Sequence, residues 1–115
     1  MQQSKLGTVR IAPSVLATIV SLTARTVQGV ADMSAMSRLP GRVPVLPRPN
    51  TGYAPGVTLL VRNGSISTDV YIVAQPDTNL RKVGQNVQRR VREALDQMVG
   101  MPAEQVNVYI EDVSE

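Results

Sequence analysis

The chain has 115 residues, 43% of them hydrophobic and 3% aromatic, with 12 bases against 9 acids for a net charge of +3. That length suits a single domain over residues 1–115 with one modest core; three Tyr with no Phe or Trp leave that core to Val, Ile, Leu, Ala and Met. The absence of His and Cys removes the commonest general base, the thiol nucleophile, disulfides and the soft metal ligands.

Taken in chain order, Thr8 to Ala12 alternates, with Val9 and Ile11 on one side and Thr8 and Arg10 on the other, which predicts a short half-buried strand. Pro13 stops it and suits the first turn of a helix. Val15, Leu16, Ile19, Val20, Leu22, Val27 and Val30 then recur at helical spacing, opposite Ala17, Ser21, Ala24, Arg25 and Gln28, and Gly29 frays the end. Residues 31–56 read as a flexible loop: they hold five of the eight prolines, and from residue 34 onward no acid. Arg38, Arg42 and Arg48 would give that loop a positive surface.

Asn63-Gly64 lies between two strand-like runs, and both residues can adopt the positive φ that a two-residue type I′ hairpin requires. Counting outward pairs Val61 with Ile66, Leu59 with Thr68 and Val57 with Val70, on one face that Ile72 extends. Thr58, Leu60, Arg62, Ser67, Asp69 and Tyr71 share the other face, which is mixed enough to be wet or to meet a partner. Pro76 ends the hairpin, and Asp77 or Thr78 can cap a second helix. Its apolar positions, Leu80, Val83, Val87, Val91, Ala94, Leu95 and Met98, cover one arc until Gly100 and Pro102 stop it. Val106, Val108 and Ile110 then alternate with Asn107, Tyr109 and Glu111 in a last strand. The order β-α-β-β-α-β predicts an α+β fold, a small sheet with two helices on one face, either ferredoxin-like or a three-stranded variant.

Charge is unevenly spread, since residues 93–115 carry six acids and no base. Arg81, Lys82, Arg89, Arg90 and Arg92 lie on the long polar arc of the second helix, where Arg89 with Glu93 and Arg92 with Asp96 are spaced to pair. A charge run of this kind is most often a solvated face. It has neither interleaved aromatics nor a groove-reading motif, so nucleic acid is a weaker partner reading than an acidic protein or an anionic membrane surface. The acids offer no catalytic constellation: Glu111 and Asp112 are adjacent on a strand and point to opposite faces. No phosphate-binding or dinucleotide motif is present, and Gly41, Gly52 and Gly56 read as turn residues. No catalytic, cofactor or metal residue is therefore expected. Apolar stretches are too short to span a bilayer, and the N-terminal segment does not read as a signal peptide, so a cytoplasmic location is expected.

Five segments in order, GTVRIAPSVLATIV, VQGVADMS, STDVYIVAQ, VREALDQMVG and VNVYIEDV, together resemble the alkaline shock protein family of bacterial envelope stress proteins. The resemblance spans nearly the whole chain apart from residues 37–56. It implies a small cytoplasmic α+β protein without catalysis, which self-associates as a homo-oligomer and sits at the inner face of the cell membrane through a separate membrane-anchor protein, without inserting directly. The expected function is thus a stress-response binding or scaffold module. The alternative is a small basic nucleic-acid-binding domain. Arg81, Lys82, Arg89, Arg90 and Arg92 are the candidate partner contacts, with Arg38, Arg42 and Arg48 of the loop second.

Overall fold

The structure, a computed structural model, describes residues 6–34 and 48–115. The elements are α1 (Pro13–Arg25), β1 (Val30–Met33), β2 (Thr51–Ala54), β3 (Val57–Arg62), β4 (Ser65–Ala74), α2 (Leu80–Val99) and β5 (Ala103–Val113). The class is α+β, as the sequence pattern implies, with both helices packed on the same side of one five-stranded sheet.

The β3–β4 hairpin anchors everything else. Asn63 (φ 52°) and Gly64 (φ 77°) both take the left-handed conformation that the turn demands. The register is the one the turn dictates: Val57 opposite Val70, Leu59 opposite Thr68, Val61 opposite Ile66. Val57, Leu59, Ile66, Val70 and Ile72 are thereby all turned into the core. On the other edge of β4, β5 runs parallel, reached through α2, while every other pairing is antiparallel. β1 and β3 share one edge of β4 end to end. Tyr71 is the joint between them: its N–H donates to Gly56 O and its carbonyl accepts from Ser34 N–H, both at 2.8 Å.

The strand read at Thr8–Ala12 is not formed. Residues 8–12 belong to no helix or strand and are exposed. Both edges of β4 are already filled, by β5 on one side and by β3 with β1 on the other, so no slot beside the hairpin is left for them. Two unforeseen strands, β1 and β2, lie within the stretch read as a loop; residues 35–47, with Arg38, Arg42 and Gly41, lie outside the described residues. Gly52 and Gly56 are more specific than turn residues in general. Gly56 (φ 71°) closes the β2–β3 turn, whereas Gly52 sits within β2, where a Cβ would overlap the Pro13 carbonyl.

That close approach explains why the buried face of α1 is shifted from the one its large residues mark, keeping Leu16 and Val20 and adding small residues from the other side. Leu16, Ala17, Val20, Ser21 and Ala24 face inward, while Val15 and Leu22 are 49% and 59% exposed. Small side chains let the helix backbone settle onto β2 and the following turn, where Ser21 Oγ donates to Pro55 O at 2.8 Å. The helix also stops at Arg25, before Val27 and Val30. In α2 the apolar arc holds: Val83, Val87, Val91 and Leu95 are buried, with Leu80 and Met98 at its exposed ends. Its cap is Asn79 instead of Asp77 or Thr78; Asn79 Oδ1 accepts from Lys82 N–H at 3.0 Å, and Gly100 in the left-handed conformation closes the other end.

Candidate interaction site

Because the buried stripe of α2 is fixed by Val83, Val87, Val91 and Leu95, the opposite side of the helix must face solvent. Arg81, Lys82, Arg89, Arg90 and Arg92 are all exposed there. Arg89 is the tethered member, its Nη2 donating to Asn86 Oδ1 at 2.9 Å and its Nε 3.9 Å from Glu93 Oε1. The expected Arg92–Asp96 pair is not formed. Among the described residues, Arg81, Lys82, Arg90 and Arg92 therefore have no carboxylate partner. Arg81 and Lys82 also lie in the first turn, and no base lies in the last, an order that opposes the helix dipole. Arg81 and Lys82 thus gain nothing from the dipole of the helix that carries them.

The structure does not extend this patch to Arg48. That residue is exposed just before β2, at the opposite end of the sheet from the β5 strand on which α2 packs. Between the C-terminal half of α2 and the start of β5 an open groove is lined by Gln88, Arg89, Arg92, Glu93, Asp96 and Pro102. Gln88 Nε2 there donates to Val106 O at 3.0 Å, tying the helix to β5. Mixed charge and an open shape make this a surface feature of the same helix face.

A second surface is the side of the sheet away from the helices, which the sequence showed only in part, through Leu60 and Tyr71. Strand alternation puts Tyr53, Leu60, Asp69, Tyr71, Asn107 and Tyr109 on it. All three aromatic side chains of the chain are thus outside the core. Tyr71 and Tyr109 stack with ring centroids 4.9 Å apart, and Asn107 Nδ2 donates to Asp69 Oδ1 at 3.0 Å. The signal in the sequence was present: Tyr71 alternates with Val70 and Ile72, and Tyr109 with Val108 and Ile110.

Among the described residues no three acids come together in a way that could hold a metal ion, and no buried side-chain polar atom lacks a hydrogen-bond partner. What the surfaces can do is bind: one through unpaired cations, the other through aromatic rings and amides.

The family model of the alkaline shock protein 23 family, described as having a cell envelope-related function, matches residues 1–115. The Streptococcus pyogenes protein Spy1614 is 32% identical over 110 residues, covering 96% of this chain and 90% of that protein. The Bacillus subtilis protein YloU is 26% identical over 112 residues, with coverage of 96% and 92%; YqhY of the same organism is 31% identical over 109 residues, with coverage of 95% and 78%. Among solved structures, the MamM CTD has a similar fold, with a TM-score of 0.50 at 14% identity over 87% of this chain and 93% of that one.

Proposed function

The chain belongs to the alkaline shock protein 23 family, of cell envelope-related function, and we propose that it is a non-catalytic binding module acting at the cytoplasmic side of the membrane, where it associates with itself and with a membrane-anchored protein. The observation that carries this reading is the cationic side of α2, on which Arg81, Lys82, Arg90 and Arg92 have no carboxylate partner among the described residues. Exposed, unpaired guanidinium groups are suited to carboxylates on a partner protein, which they meet in planar two-pronged geometry.

Two features favour a protein partner over nucleic acid or lipid. The cations of α2 are on the helix side of the sheet and the tyrosines on the opposite side, where the described strands bring Arg62 alone among the basic residues, so nucleic-acid bases stacked on the aromatics could not bring their phosphates to the α2 patch. The apolar stripe of α2 is buried in the core and cannot enter a bilayer, and no helix among the described residues is long and apolar enough to cross one. Attachment at a membrane would run through an anchor.

The test is recovery of the tagged protein from gently lysed native cells, with and without nuclease and at low and high salt, read by mass spectrometry. A small membrane protein and further copies of the chain are expected, unaffected by nuclease and reduced by salt. Loss of all partners on nuclease treatment would replace this reading with the nucleic-acid one.

A further inference from the structure

Residues 8–12 present a contradiction within a single copy of the chain. Their alternation is that of a strand, yet among the described residues they pair with no strand of the sheet, and Val9 and Ile11 are left 90% and 42% exposed. Apolar side chains gain from leaving water, so a strand-patterned arm of this kind is a surface awaiting an edge.

The sheet has such an edge. β5, at 11 residues its longest strand, is hydrogen-bonded to β4 alone among the described strands. On its other side Gln88 of α2 reaches Val106 O, and no described strand pairs there. Val108 and Ile110 at that edge are partly buried, on the helix side of the sheet. Tyr109 and Glu111 alternate with them and point to the other side. An added strand that set Val9 and Ile11 beside Val108 and Ile110 would bring Arg10 to the side of Tyr109 and Glu111. The charges match as well as the pattern. The arm has Arg10 and no acid, whereas β5 has Glu104, Glu111 and Asp112 and no base. Two β5 edges facing each other would instead set acid against acid.

The arm cannot reach the β5 edge of its own copy. Pro13, where α1 begins, is packed on Gly52 of β2, at the far side of the sheet. From β2 to a position beyond β5 is four strand spacings, about 19 Å. Four residues of fully extended chain, the distance from Pro13 back to Val9, span only about 14 Å, before any path around a helix or the sheet. A contact with β5 must therefore be made in trans.

We propose that residues 8–12 of one copy add as a strand to the outer edge of β5 in a second copy. The arm leaves one end of the sheet and docks at the other, so the contact is head-to-tail, leaving a free arm and a free β5 edge at the ends of every open assembly; copies are added in a row unless the row closes into a ring. This rests on the self-association proposed above and names the surfaces that carry it.

Sedimentation velocity at high micromolar concentration tests it. The natural chain should show faster-sedimenting assemblies that shrink with salt, and Val9→Asp/Ile11→Asp should sediment as a monomer with an unchanged circular dichroism spectrum, since both side chains are exposed in the single copy. A second arm uses charge reversal: Arg10→Glu and Glu111→Lys should each weaken assembly alone, and mixing the two chains should restore it. Assemblies that persist undiminished in Val9→Asp/Ile11→Asp would overturn the arm-to-edge contact while leaving self-association standing; a natural chain that stays monomeric would overturn both.

Discussion

The rings of Tyr71 and Tyr109 lie 17° from parallel with centroids 4.9 Å apart, on neighbouring parallel strands and on the sheet face away from both helices. A stacked pair of this kind is worth about 0.5–1.5 kcal/mol beyond the area it buries. A double-mutant cycle of Tyr71→Ala and Tyr109→Ala, followed by urea unfolding, should return a coupling in that range with the fold retained. Zero coupling would mean that the rings merely lie side by side.

Gly52 decides how closely α1 can approach the sheet. Its Cβ would overlap the Pro13 carbonyl and come within 2.9 Å of Ser14 N, both backbone atoms that cannot swing aside. Gly52→Ala should therefore destabilise by about 1–3 kcal/mol, as overpacking does. Thermal unfolding checks this, and an unchanged midpoint would show that α1 is not held there.

Leu95 and Met98 both belong to the apolar arc of α2, yet Leu95 is fully buried and Met98 is 64% exposed. Leu95→Ala should cost about 2–5 kcal/mol, while Met98→Ala should stay within about 0.5 kcal/mol. Equal effects in denaturant unfolding would mean that the helix is rotated from its described orientation.

Arg81 and Lys82 sit at the positive end of the α2 dipole. Arg81→Gln/Lys82→Gln should leave the fold intact and raise its stability by about 0.3–1 kcal/mol at low ionic strength, with the gain fading as salt is added. A loss of stability would show that the two cations support the fold, weakening their assignment to a partner.

What could be read from the sequence follows from how locally each feature is specified. Asn63-Gly64 sets the hairpin register because a two-residue turn leaves no other pairing, and the spacing of Val83, Val87, Val91 and Leu95 sets the face of α2 because large side chains fill it. On α1 the same reasoning is right for Leu16 and Val20 but misses that small residues, Ala17, Ser21 and Ala24, are inward too, because a glycine-bearing strand lies directly beneath, a fact located about 30 residues away in the chain. The Thr8–Ala12 pattern forms no strand, since alternation says which side chains would share a face but not whether an edge is open to pair with them. The cations of α2 were legible one by one. Which of them lack a partner was not, because equal i, i+4 spacing yields an ion pair for Arg89 and none for Arg92.

The most direct measurement compares the natural chain with Arg89→Gln/Arg90→Gln/Arg92→Gln in recovery from native cells, with circular dichroism and thermal unfolding run on both. All three side chains are exposed and only Arg89 has an ion-pair partner, so the variant should unfold within a few degrees of the natural chain while its nuclease-resistant recovery of a membrane-anchored partner falls several-fold. Undiminished recovery by a folded triple variant would contradict the assignment of α2 as the partner-binding face.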